Sequence, residues 1–97
     1  MQFIKLLRPR IKSGEITTSI RIWQSPRVKV GGRYRLEEGF VIVDAIHRIA
    51  LSDITPEMAR ASGFAGLVDL LKTAKHGAGE KVYLVRFHYA EEGEAPA

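Results

Sequence analysis

Between Ile16 and Trp23 the side chains alternate with strict period two. Ile16, Thr18, Ile20 and Ile22 share one face; Thr17, Ser19, Arg21 and Trp23 share the other. Successive side chains of a strand point to opposite sides, so the pattern predicts a strand whose isoleucine face enters a core. The second face carries two hydroxyls, a guanidinium and an indole. On pattern alone it is either the solvated side of a half-buried strand or a surface for phosphates and flat rings, which Arg grips and Trp stacks on.

The remaining chain divides into short elements. Residues 1–6 read as a strand. Residues 7–13 read as one or two helical turns, with Leu7 and Ile11 facing inward and Gly14 supplying a left-handed stop. Ser25-Pro26 marks a loop, and Gly31-Gly32 a tight turn into a strand over residues 33–37. Gly39 turns the chain into a strand over residues 40–51. Its apolar face holds Val41, Val43, Ala45, Ile49 and Leu51, interrupted by His47, which is read as a core histidine. Thr55-Pro56-Glu57 starts a helix: Thr as N-cap, Pro in the first turn, Glu against the dipole. That helix ends at Ser62-Gly63. A second begins near Gly66, is expected to bury Leu67, Leu70, Leu71 and Ala74, and closes at Gly77. Residues 81–89 form the last strand, apolar on both faces. These elements predict one small barrel-like α+β domain over residues 1–90, followed by a disordered acidic tail over residues 91–97.

Composition removes several classes of chemistry. The 97 residues include no Cys, which excludes disulfides, thiolate nucleophiles and zinc–cysteine sites. His47, His76 and His88 lack metal-ligand spacing, and no metal or cofactor is expected. Gly77-Ala78-Gly79 follows a helix rather than preceding one, the wrong polarity for a phosphate loop or dinucleotide fingerprint. No apolar run approaches the roughly 20 residues of a membrane span, and the opening residues lack a signal peptide's apolar stretch. A cytoplasmic protein with no membrane partner is expected, with a monomer favoured.

Charge is distributed unevenly. Residues 1–35 carry nine Lys and Arg against Glu15 alone, a net +8; residues 36–97 carry six against ten acids, a net −4. So lopsided a distribution suits a polyanion better than a merely solubilising surface does.

The order of the parts resembles the ASCH domain family of the PUA-like superfamily. Arg8-Pro9-Arg10-Ile11-Lys12-Ser13-Gly14-Glu15, followed by a strand reaching Arg21, is similar to that family's opening. Val28-Lys29-Val30-Gly31-Gly32-Arg33-Tyr34-Arg35 resembles its Val-Gly-Asp lead-in to a strand. Ile54-Thr55-Pro56-Glu57 to Ser62-Gly63-Phe64, then Val68-Asp69-Leu70-Leu71, resembles its helical insert, and the last strand its closing strand. The resemblance covers residues 3–89. It implies a PUA-like β-barrel of about five to six strands, with a short N-terminal helix and a helical insert before the last strand. It also implies a cleft between barrel and insert that meets RNA or modified nucleosides.

Some members of that family are amidohydrolases that deacylate N4-acetylcytidine with a Lys, a hydroxyl and a Glu. The resemblance places these at Ile16, Ser19 and Ser62. Ile16 transfers no proton and Ser62 has no carboxylate, so binding without turnover is the leading expectation. In that role Arg8, Arg10, Lys12 and Lys29 meet phosphates, and Ser19 and Arg21 line the cleft floor. Lys75 and His76 approach from the insert, unless they merely balance a helix end. Trp23 either stacks on a base or closes the core. Arg21 either faces a ligand or pairs with Asp44 or Glu15, because an unpaired buried guanidinium is costly. The alternatives are a nucleoside- or RNA-processing enzyme, either amidohydrolase-like or a ribonuclease using Lys75 and His76, and a protein-interaction domain using the acidic half.

Overall fold

The computed structural model describes residues 2–74 and 81–91. Four strands form one curled antiparallel sheet, a half-barrel, and short helices cover it, giving an α+β protein. A single 3-10 turn at Lys5–Leu7 leads into helix α1 (Arg8–Lys12) and strand β1 (Thr18–Trp23). Strands β2 (Arg33–Leu36) and β3 (Gly39–Ile49) form a hairpin. Helices α2 (Pro56–Ala61) and α3 (Leu67–Ala74) precede strand β4 (Lys81–Glu91). The sheet order is β1-β4-β3-β2, so β1 and β2 are its two edges.

Both faces of the sheet are packed. On one, Val41, Val43, Tyr83, Val85 and Phe87 meet Phe3, Ile11 and Ile16 from the N-terminal segment and Val28 from the long β1–β2 connection. Phe3 and Phe87 set their rings 5.4 Å apart in a tilted pair. On the other, Ile20, Ile22, Val82, Leu84 and Ile49 pack under Ile54, Ala59 and Leu70. Thr55 caps α2 as expected: its hydroxyl accepts from the Met58 amide at 3.1 Å, with Pro56 in the first turn. Gly14, at φ +83°, ends the α1 region in the left-handed conformation expected of it.

Five expectations need correction. Residues 2–6 form no strand, because their carbonyls are taken by side chains: Arg21 donates to the Gln2 carbonyl and Arg8 to that of Phe3. The described residues therefore hold four strands rather than five or six. Ile16 does not share a core with Ile20 and Ile22. It lies ahead of the ladder, its amide bonds to the Arg10 carbonyl at 3.1 Å, and its side chain enters the α1-side core. His47 is exposed rather than a core histidine. A β-bulge between Val43 and Ala45 shifts the alternation by one, so Ile46 joins Val41 and Val43 while His47 turns out. Leu71 is 39% exposed, and α3 grips the sheet through Leu70 and Leu67 instead. Finally, β4 continues to Glu91, which puts the start of the expected acidic tail inside the strand; residues 92–97 lie outside the described residues.

Candidate anion-binding cleft

The face of β1 that bears Ser19 and Arg21, which pattern alone left as either a solvated side or a binding surface, is turned toward the α1-side core. Ser19 and Arg21 stand opposite Val85 and Tyr83 in the ladder, and Ser19 is buried. Beside them opens a cleft of about 280 Å³ along the free edge of β1. The N-terminal segment supplies one wall with Gln2, Phe3, Ile4 and Leu7. The α2–α3 junction supplies the other with Ser62, Gly63, Phe64 and Asp69. Ser19, Ile20 and Arg21 form the floor. The Phe87 amide donates to the Thr17 carbonyl at 2.9 Å, which fixes the ladder phase. By alternation the N–H and C=O of Ile20 point to the open edge.

Arg21 is the focus of the charge here. Its Nε donates to Ser19 Oγ at 2.7 Å and its Nη2 to the Gln2 carbonyl at 2.7 Å. The guanidinium carbon sits 5.0 Å from the centroid of the Phe3 ring. All three partners are neutral. Burial pushes the guanidinium pKa below its ordinary value, although Arg remains charged at any physiological pH. Neither carboxylate considered as a partner reaches it: Glu15 is bonded to Arg10, and Asp44 to His88 at 2.9 Å. Two of its five N–H groups are engaged, so the fork keeps donors for an incoming anion.

Across the cleft, Ser62 is buried and its hydroxyl lies 2.9 Å from that of Thr18. Asp69 accepts from the Ala65 amide at 3.0 Å, an orientation that organises the start of α3. The cleft thus combines one cation, hydroxyls, a carboxylate held by backbone, and the apolar surfaces of Phe3, Ile4 and Phe64.

The other expected site residues are placed differently. Arg8 pairs with Glu37 at 3.3 Å, Arg10 with Glu15, and Lys12 with Glu38. The hydrogen bond between Lys12 and Glu38 holds the ammonium pKa above its ordinary value and the carboxyl pKa below. These pairs are exposed and add little stability, but they neutralise the cations assigned to phosphates. Lys29 is exposed in the β1–β2 connection, where its amide donates to the Tyr34 hydroxyl at 3.0 Å. Trp23 is half-buried against Tyr83, with ring centroids 5.9 Å apart, and does not line the cleft. Lys75 and His76 lie outside the described residues.

The structure therefore brings Ser19 and Arg21 together and adds residues that pattern did not mark as a site. Phe3 and Ile4 read as part of a strand, and Phe64 carries only the signal of an aromatic after a helix stop. No group of three or more His, Cys, Asp or Glu among the described residues is placed to hold a metal ion. No helix among them is long and apolar enough to cross a membrane. No protein-family model, curated protein or solved structure matches the chain.

Proposed function

We propose that the protein is a binding module for a nucleotide or an RNA segment, held in the cleft along β1. The observation that carries this is Arg21: a partly desolvated cation, at the floor of an open cleft, surrounded by neutral partners. A cation in that setting attracts an anion more strongly than one in bulk water, and its fork matches two phosphate oxygens. The outward N–H and C=O of Ile20 offer a donor–acceptor pair to a base edge, and Phe64 offers a flat apolar wall.

Two placements favour an ASCH-like, PUA-like identity for this cleft. Ser19 and Ser62 both line it, and a methyl built on neighbouring Gly63 would come 3.2 Å from Ile16 Cδ1. Two of the three positions that the resemblance assigns to the amidohydrolase set therefore line one cleft, and the third lies behind its Gly63 wall. Their chemistry does not follow. Ile16 is fully buried among apolar side chains, Ser62 offers only a hydroxyl, and the Ser19 hydroxyl is held by Arg21, a cation that takes no proton. Binding is retained and hydrolysis is not.

Calorimetric titration tests this with CMP, UMP, AMP and GMP, alongside cytidine and N4-acetylcytidine. Monophosphates should bind more tightly than the uncharged nucleosides, and N4-acetylcytidine should be recovered intact. Equal affinity with and without the phosphate would contradict the role given to Arg21. Release of acetate would contradict the loss of catalysis.

A further inference from the structure

The second face of the sheet is only half covered by helices. α2 and α3 bury the end that carries Ile20, Ile22, Val82 and Leu84, while no helix of the described residues covers the β2 end. On the open part, Arg33 and Arg35 of β2 flank Phe40 of β3, their guanidinium carbons 4.4 and 5.0 Å from its ring centroid. Arg86 and His88 of β4 follow on the same face, both exposed. Asp44, on this side, is bonded to His88. Arg33 and Arg86 have no carboxylate partner among the described residues, unlike Arg8, Arg10 and Lys12.

We infer that this open sheet face is a second contact surface, for single-stranded nucleic acid. Phosphates lie against Arg33 and Arg86, and a base stacks on the guanidinium held over the Phe40 ring. Cation–π contact fixes the orientation of an exposed Arg, and an oriented guanidinium presents its outer face to a base. An open sheet with aromatic and cationic side chains tracks a strand without sequence preference. An acidic protein is the poorer fit, because Phe40 and Ile42 alone give the patch little apolar area. The surface is independent of the cleft. Arg33 lies on the β2 edge and Phe40 on the neighbouring β3, whereas Arg21 lies on the β1 edge and on the opposite face of the sheet, three strand spacings or about 14 Å from Arg33.

The test uses a fluorescein-labelled 12-nucleotide oligouridylate, with binding followed by anisotropy over a range of salt concentrations. Arg33→Gln with Arg86→Gln should flatten the log–log salt slope by about 1.4, roughly 0.7 for each phosphate released. Phe40→Leu should weaken binding about tenfold at fixed salt with the slope unchanged. Arg33→Lys keeps the charge and loses the plane, so it should reproduce the Phe40→Leu result even if that variant folds poorly. Charge removal at Arg8, Arg10 and Lys12 together should leave the slope as it is. An unaltered slope in the double variant, or no binding at the lowest salt, would overturn the inference. So would displacement by heparin with Arg33→Lys and Phe40→Leu both silent, which would mark the face as a bare polyanion or protein contact.

Discussion

Arg21→Ala is expected to lower the cleft's affinity for a nucleoside monophosphate by about ten- to a hundredfold, the span of a lost bidentate contact. Arg21→Lys keeps the charge but not the fork, and should fall between wild type and Ala. Both variants should also melt somewhat earlier. Arg21 ties down the N-terminal segment through the Gln2 carbonyl and the Phe3 ring, and neither contact survives truncation. Glu15→Gln and Asp44→Asn should leave nucleotide affinity unchanged, because these acids are engaged with Arg10 and His88. Thermal scans beside calorimetric titrations separate the two roles. Lost stability with intact affinity would mean that Arg21 only fastens the N-terminal segment to β1.

Gly63→Val should be among the most damaging single substitutions for the fold. Gly63 has φ +94°, a conformation that costs an L-residue about 1–2 kcal/mol. A Cβ there would also lie 2.8 and 2.9 Å from the two methyls of Leu7 and 3.2 Å from Ile16 Cδ1. Overpacking of this kind costs about 1–3 kcal/mol, and the two penalties act together. Urea unfolding should show the unfolding free energy falling by about 2–5 kcal/mol, on the order of a third of a small domain's stability, with a lower midpoint. Gly66→Ala is the matched control: nothing lies within 4 Å of its added Cβ, so its effect should stay within about 0.5 kcal/mol. Because Leu7 and Gly63 are both walls of the cleft, the same clash should distort the site.

What could be read from sequence follows the range of the interactions involved. The α2 start was legible because Thr55, Pro56 and Glu57 act on backbone within one turn. The β1 strand was legible from its alternation, but the fate of its two faces was not. Helices cover one side and the N-terminal segment the other, so the side bearing Ser19 and Arg21 is an interior wall opening on a cleft. The bulge at Asp44 leaves no trace in hydropathy, since one extra residue merely moves the apolar position from His47 to Ile46. Charge counting found the basic excess and misplaced it. Arg8 and Lys12 meet Glu37 and Glu38 only because the β2–β3 turn folds over α1, a pairing across more than twenty residues. The cost of an unpaired buried guanidinium marked Arg21 as needing explanation, but the partners considered were Asp44 and Glu15, and its neutral partners Gln2 and Phe3 became visible only in three dimensions.

The central claim is that a nucleotide sits against Arg21 at the β1 edge, and amide chemical-shift mapping with CMP tests it most directly. The predicted result is a set of saturable shifts confined to Phe3, Ser19, Ile20, Arg21, Ser62, Gly63 and Phe64, lost in Arg21→Ala. Shifts centred instead on Arg33, Phe40 and Arg86, with the β1 edge unmoved at saturation, would contradict it.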